Sequence, residues 1–157
     1  MCVYFCITTK NGMNMKKTIL CLFGPANTGK TSTIRRVDEL LQSCGAKIVK
    51  ILFEEGDFCK EYIFRNHKVG ILSLGDPGSA QSDYLEQLVN DECEVIVCAS
   101  RSKGTTCEAV SKIAVRCDER YWVSPLYEYD SHHPLAIDMH DLNAEFLIKA
   151  IRTAFNK

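Results

Sequence analysis

The stretch Gly24-Pro25-Ala26-Asn27-Thr28-Gly29-Lys30-Thr31 constrains this chain more than any other. It follows a continuous apolar run at residues 19–23, which reads as a strand covered on both faces. After it, Ile34, Val37, Leu40, Leu41 and Cys44 share one face of a helix over residues 31–44. The chain therefore passes from a buried strand to an amphipathic helix through a turn with glycine at both ends. Gly24 and Gly29 allow backbone conformations that a Cβ would obstruct, so successive N–H groups can point into one concavity. The helix that follows presents unpaired N–H groups and roughly +0.5 of an elementary charge at its start. The spacing predicts an anion site built largely of backbone between residues 24 and 32.

Beyond this unit the sequence keeps alternating strand and helix. Gly45 stands where a left-handed residue would end the first helix. Residues 47–53 read as a second strand running into Glu54-Glu55-Gly56-Asp57, and residues 62–65 and 68–74 as a hairpin around Asn66-His67. A helix is expected from Ser79 to about Asn90, a strand over 94–99, and a helix opened by the capping-box spacing Thr105-Thr106-Cys107-Glu108. A strand at 121–126 and a last helix from about Asp141 to Phe155 complete the pattern. Such alternation predicts an α/β fold, a three-layer sandwich with a mostly parallel sheet and helices on both faces. At 157 residues the chain suits one domain, taken as residues 15–157. Residues 1–14 fit that pattern poorly and form a tail without an assigned role, an extra edge strand being the structural role it suggests.

The eight residues complete the pattern G-x-x-x-x-G-K-[ST], and in them the chain resembles the P-loop (Walker A) nucleoside-triphosphatase superfamily. The resemblance implies that Gly24, Pro25, Ala26, Asn27, Thr28, Gly29, Lys30, Thr31 and Ser32 bind a nucleotide. Lys30 would reach its β- and γ-phosphates, and Thr31 would give a hydroxyl to Mg²⁺. Ile71-Leu72-Ser73-Leu74-Gly75-Asp76 resembles Walker B, an apolar strand ending in an aspartate. Asp76 would then hold a magnesium-bound water beside Thr31. Two departures matter. Asp76-Pro77-Gly78-Ser79 is not D-x-x-G, and no glutamate follows the aspartate, so no hydrolytic base is assigned. The guanine-reading N-K-x-D pattern is absent, which tilts the base toward adenine or toward weak selection. No subfamily follows.

Other stretches carry weaker signals. Arg101 and Lys103 follow an apolar strand, and loops at the carboxyl ends of parallel strands converge on the ligand crevice. Arg101 joins Lys30 and Asp76 as a candidate catalytic residue that would stabilise charge on a transferring phosphoryl group. Glu54, Glu55 and Asp57 suggest an acceptor site, with a solvated acidic turn as the favoured alternative. Asp130, His132, His133, Asp138, His140 and Asp141 match no familiar metal spacing, and Asp138 or Asp141 reads as a helix cap. Tyr121 and Trp122 read as core or edge packing.

Lys plus Arg number 19 against 20 Asp plus Glu, so net charge gives no signal for nucleic acid or an anionic membrane. Nine cysteines, an odd number without a C-x-x-C, lie in apolar or helical segments and read as free thiols in a reducing cytoplasm. The run at residues 18–23 after Met15-Lys16-Lys17 is too short for a signal peptide, and Gly24-Pro25 interrupts it. The expectation is a cytoplasmic Mg²⁺-dependent ATP-binding protein, either a compact ATPase or a small-molecule kinase. The alternative is a nucleotide-dependent switch or partner-binding module with little turnover.

Overall fold

Strict alternation along β1 (Thr18–Phe23) serves two hydrophobic layers at once. The computed structural model describes residues 15–156, so the edge-strand expectation for residues 1–14 lies outside the described residues. Leu20 and Leu22 point to the layer completed by α1 (Lys30–Ser43) and α4 (Pro134–Phe155). Ile19 and Cys21 point to the opposite layer, completed by α2 (Gln81–Asn90) and α3 (Thr105–Ala114). β5 (Val95–Ser100) alternates in the same way and is buried throughout. Burial on both faces is what helix-covered parallel strands require.

The remaining strands are β2 (Lys47–Glu55), β3 (Asp57–Phe64), β4 (His67–Leu72) and β6 (Glu119–Val123), and the sheet order is β2-β3-β4-β5-β1-β6. β4, β5, β1 and β6 run parallel, so the expected α/β class holds, with a mostly parallel sheet and helices on both faces. The exception is β3, which pairs antiparallel with β2 on one side and with β4 on the other. Only Gly56, at φ 70°, separates β2 from β3, and a parallel pair would need a crossover of about a dozen residues. β2 stands at one edge of the sheet, with Val49 and Ile51 half exposed.

Several boundaries differ from the sequence reading. The β3–β4 turn is Arg65-Asn66, both at positive φ, and Phe64 faces His67 across it. A two-residue connection of this hand matches strand twist even without glycine. Thr105 does not cap α3: Gly104 precedes the helix, and no side chain caps it. α4 begins at Pro134, well before Asp141, with His133 as the cap whose Nδ1 accepts from the Leu135 amide at 3.2 Å. Proline at the first helical position costs no hydrogen bond, which lets the helix start there. Gly45 does end α1 as expected, at φ 92°.

Candidate functional site

The loop after β1 is anchored at its first residue, where the Gly24 amide donates to the Ser100 carbonyl at the end of β5 (3.1 Å). From there the backbone turns through Asn27 (φ 60°) and Gly29 (φ 76°) before α1 begins. Gly29 is required in this turn. A Cβ there would be strained by the left-handed φ and would lie 2.1 Å from His140 Nε2. Gly24 is not, since an added Cβ would meet only ordinary contacts. The sequence reading asked for freedom at both glycines, and the structure transfers the second unusual conformation to Asn27. Asparagine tolerates it better than most residues.

The N–H groups from Ala26 to Ser32 donate to no acceptor among the described residues. The first helical amides have no intrahelical partner in any α-helix, and here the preceding turn adds its own. The same residues line a cleft of about 540 Å³, together with Gly75, Asp76 and Arg101 from the ends of β4 and β5. Lys30 folds back into the turn: its ammonium donates to the Gly24 carbonyl at 2.8 Å and to the Pro25 carbonyl. Thr28, fully buried, ties the turn from inside through its hydroxyl to Pro25 (3.0 Å). Burial, and then the nearby Arg101, hold the Lys30 amine below the ordinary lysine value. Asp76 opposes that shift without cancelling it.

Asp76 and Arg101 meet across the cleft, with Nη2 at 3.2 Å from Oδ1. Thr31 and Ser32 line the cleft with hydroxyls that have no partner among the described residues. Lys103, paired with Arg101 in the sequence reading, is exposed and outside the cleft lining. The acidic run is also elsewhere. β2 ends at the same end of the sheet as β1, but β3, β4 and β5 stand between them. Glu54 pairs with Lys60 (2.8 Å), Asp57 accepts from the Ser73 hydroxyl (2.9 Å), and neither lines the cleft. Asp141 is no cap; it pairs with Arg36 of α1 at 2.9 Å. No group of three or more metal-ligating side chains occurs among the described residues. Trp122, on β6, packs edge-on against Phe23.

Sequence reasoning missed the other wall, which Glu128, Tyr129, Ser131, Ala136 and His140 supply. That wall is positioned by Asn143, whose side chain accepts from the Leu126 amide (3.0 Å) and donates to the Leu126 carbonyl (2.7 Å). The only sequence signal for His140 was the cluster of histidines around it, and that cluster does not assemble as a group. Chemically, the cleft sets main-chain donors and two cationic side chains against the carboxylates Asp76 and Glu128. No family model, curated protein or solved structure matches this chain.

Proposed function

We propose that the chain is a Mg²⁺-dependent nucleoside triphosphate-binding protein of the P-loop type, with ATP as the favoured ligand. The observation that carries this reading is the run of amides from Ala26 to Ser32, open to the cleft and unmatched by any described acceptor. Unpaired N–H groups at a helix start, with the positive end of the helix dipole behind them, favour an anion. On ligand binding, Lys30 would exchange two carbonyls for β- and γ-phosphate oxygens, a charge-assisted contact. Thr31 and Asp76 would hold Mg²⁺, whose charge would offset that of the phosphates. Arg101 would stabilise charge in hydrolysis or in phosphoryl transfer to a small acceptor. Glu128 is the carboxylate in the cleft available to orient an attacking water or acceptor hydroxyl. The reading sets the protein in the cytoplasm. Free cysteines among the described residues fit that compartment, with burial pushing the Cys59 and Cys93 thiols up to about 12. No described helix is long and apolar enough to cross a membrane.

The Asp76–Arg101 ion pair favours a second reading, a nucleotide-dependent switch with little turnover. Both side chains would have to separate to serve magnesium and phosphate, which would reset the Asp76–Ser79 turn. Native mass spectrometry with ATP, GTP and Mg²⁺, followed by a product assay, tests both. Retained triphosphate with ADP formed supports the enzyme, and retained triphosphate without product supports the switch. No retained nucleotide at all sinks the proposal.

A further inference from the structure

The space that a side chain at Gly29 would need is filled by His140. An atom built there would lie 2.1 Å from Nε2 and 2.6 Å from Cδ2 of that imidazole, so its Nε2 edge leads onto the turn. The ring is half-buried, yet it makes no hydrogen bond to any described residue. His140 lines the cleft together with that turn, and an imidazole always carries at least one N–H to donate. Its position is imposed by the helix that bears it. Asp141, the next residue, is held by Arg36 at 2.9 Å, and Ala144 and Leu147 are buried in the layer shared with α1. The ring is therefore held over the middle of the Ala26–Ser32 amide run by a separate element of the chain.

We propose that His140 is a further ligand of the phosphate tail, donating from its imidazole N–H to a phosphate oxygen held by the amides around Gly29. This rests on the reading of the cleft as a triphosphate site and adds to it a specific contact from α4. The contact is assigned to the phosphate end, because the imidazole abuts Gly29 and so reaches whatever those amides hold.

Calorimetric titrations of Mg·ATP, inorganic tripolyphosphate and adenosine into wild type, His140→Phe and His140→Gln separate the possibilities. Phenylalanine keeps a flat ring over Gly29 but has no donor, whereas glutamine restores one. His140→Phe is expected to weaken both ATP and tripolyphosphate about tenfold or more, the scale of a lost hydrogen bond to a charged group, and His140→Gln to recover most of it. Adenosine binding stays as in wild type. In wild type, the imidazole nitrogen resonances of His140 should move on adding tripolyphosphate and stay put on adding adenosine, a measurement that needs no variant. Wild-type affinity for both phosphate ligands in His140→Phe would reduce the ring to packing and overturn the proposal. A loss confined to ATP, with tripolyphosphate unchanged, would place the ring at the nucleoside and overturn it equally. Those results leave the triphosphate reading standing, whereas a wild-type protein that binds neither ATP nor tripolyphosphate removes both.

Discussion

Lys30 and Lys60 are both drawn out of water, and the chain treats them in opposite ways. Lys60, on β3 beneath α1, is almost wholly buried and meets Asp38 at 3.1 Å and Glu54 at 2.8 Å. Burial alone would lower its pKa, but hydrogen bonds to Glu54 and Asp38 outweigh it and the amine is held above the ordinary value. Tyr62 adds a hydrogen bond to Asp38 at 2.6 Å, closing a network in which each charge has its partner. No carboxylate among the described residues lies within ion-pair distance of Lys30; its nearest acceptors there are carbonyls, and its pKa is lowered. A cation satisfied by carboxylates holds a hairpin to a helix. A cation left with carbonyls and another cation nearby suits the proposed role of meeting an anion from outside the chain.

This contrast breaks most visibly at Lys60. Lys60→Met leaves the little-exposed Asp38 of α1 without its cation and should cost about 3 kcal/mol of stability, read from the urea midpoint, with ATP affinity per folded molecule unchanged. Lys30→Ala should do the reverse, removing about 2 kcal/mol of triphosphate binding while the urea midpoint stays put. If Lys30→Ala proves the more destabilising of the two, the assignment of roles is wrong. Gly29→Ala should cost about 1–2 kcal/mol in stability, from left-handed strain and collision with His140, while Gly24→Ala melts near wild type. Equal melting temperatures for the two glycine variants would contradict the turn geometry.

Smaller effects sharpen the picture. Asp76→Asn should weaken Mg²⁺-dependent ATP binding by about 1 kcal/mol and spare Mg²⁺-free binding, because an amide still bonds but no longer attracts the cation. Equal change with and without the metal removes Asp76 from its site. The last expectation concerns pH. Lys30 must be charged to hold phosphate, and its free-state pKa lies below the usual 10.5, so affinity is full at neutral pH and falls as pH rises through that lowered value. Lys30→Arg, always protonated, should flatten the alkaline limb, and an unchanged limb in that variant would trace the titration to another group.

Much of the fold was legible because periodicity and glycine placement are local. Residues 19–23, Ile34 and Val37, and Gly45 each behave as their neighbours in sequence dictate. The boundaries failed where two local rules competed. Thr105 had capping-box chemistry, but Gly104 already supplied the break, and Asp141 suited a cap inside a helix that Pro134 had begun earlier. The half of the candidate cleft lined by residues 26–32, Asp76 and Arg101 was readable, since loops at the ends of parallel strands converge by topology, although Gly24 and Pro25 lie outside that lining. The other half was not. Glu128, Tyr129 and His140 carry no spacing that refers to residues roughly a hundred positions earlier, and only the packing of α4 on α1 brings them there.

By itself the sequence determined an α/β chain in which a glycine turn must carry a buried strand into a helix. That follows from backbone sterics and hydrophobic period, which act over a few residues. The tertiary structure alone decided that β3 turns back against β2 at the sheet edge, that Lys60 meets carboxylates while Lys30 meets carbonyls, and that an imidazole closes over Gly29. Those outcomes depend on which elements share a face and how charges pair once water is excluded, and neither is encoded within any single segment.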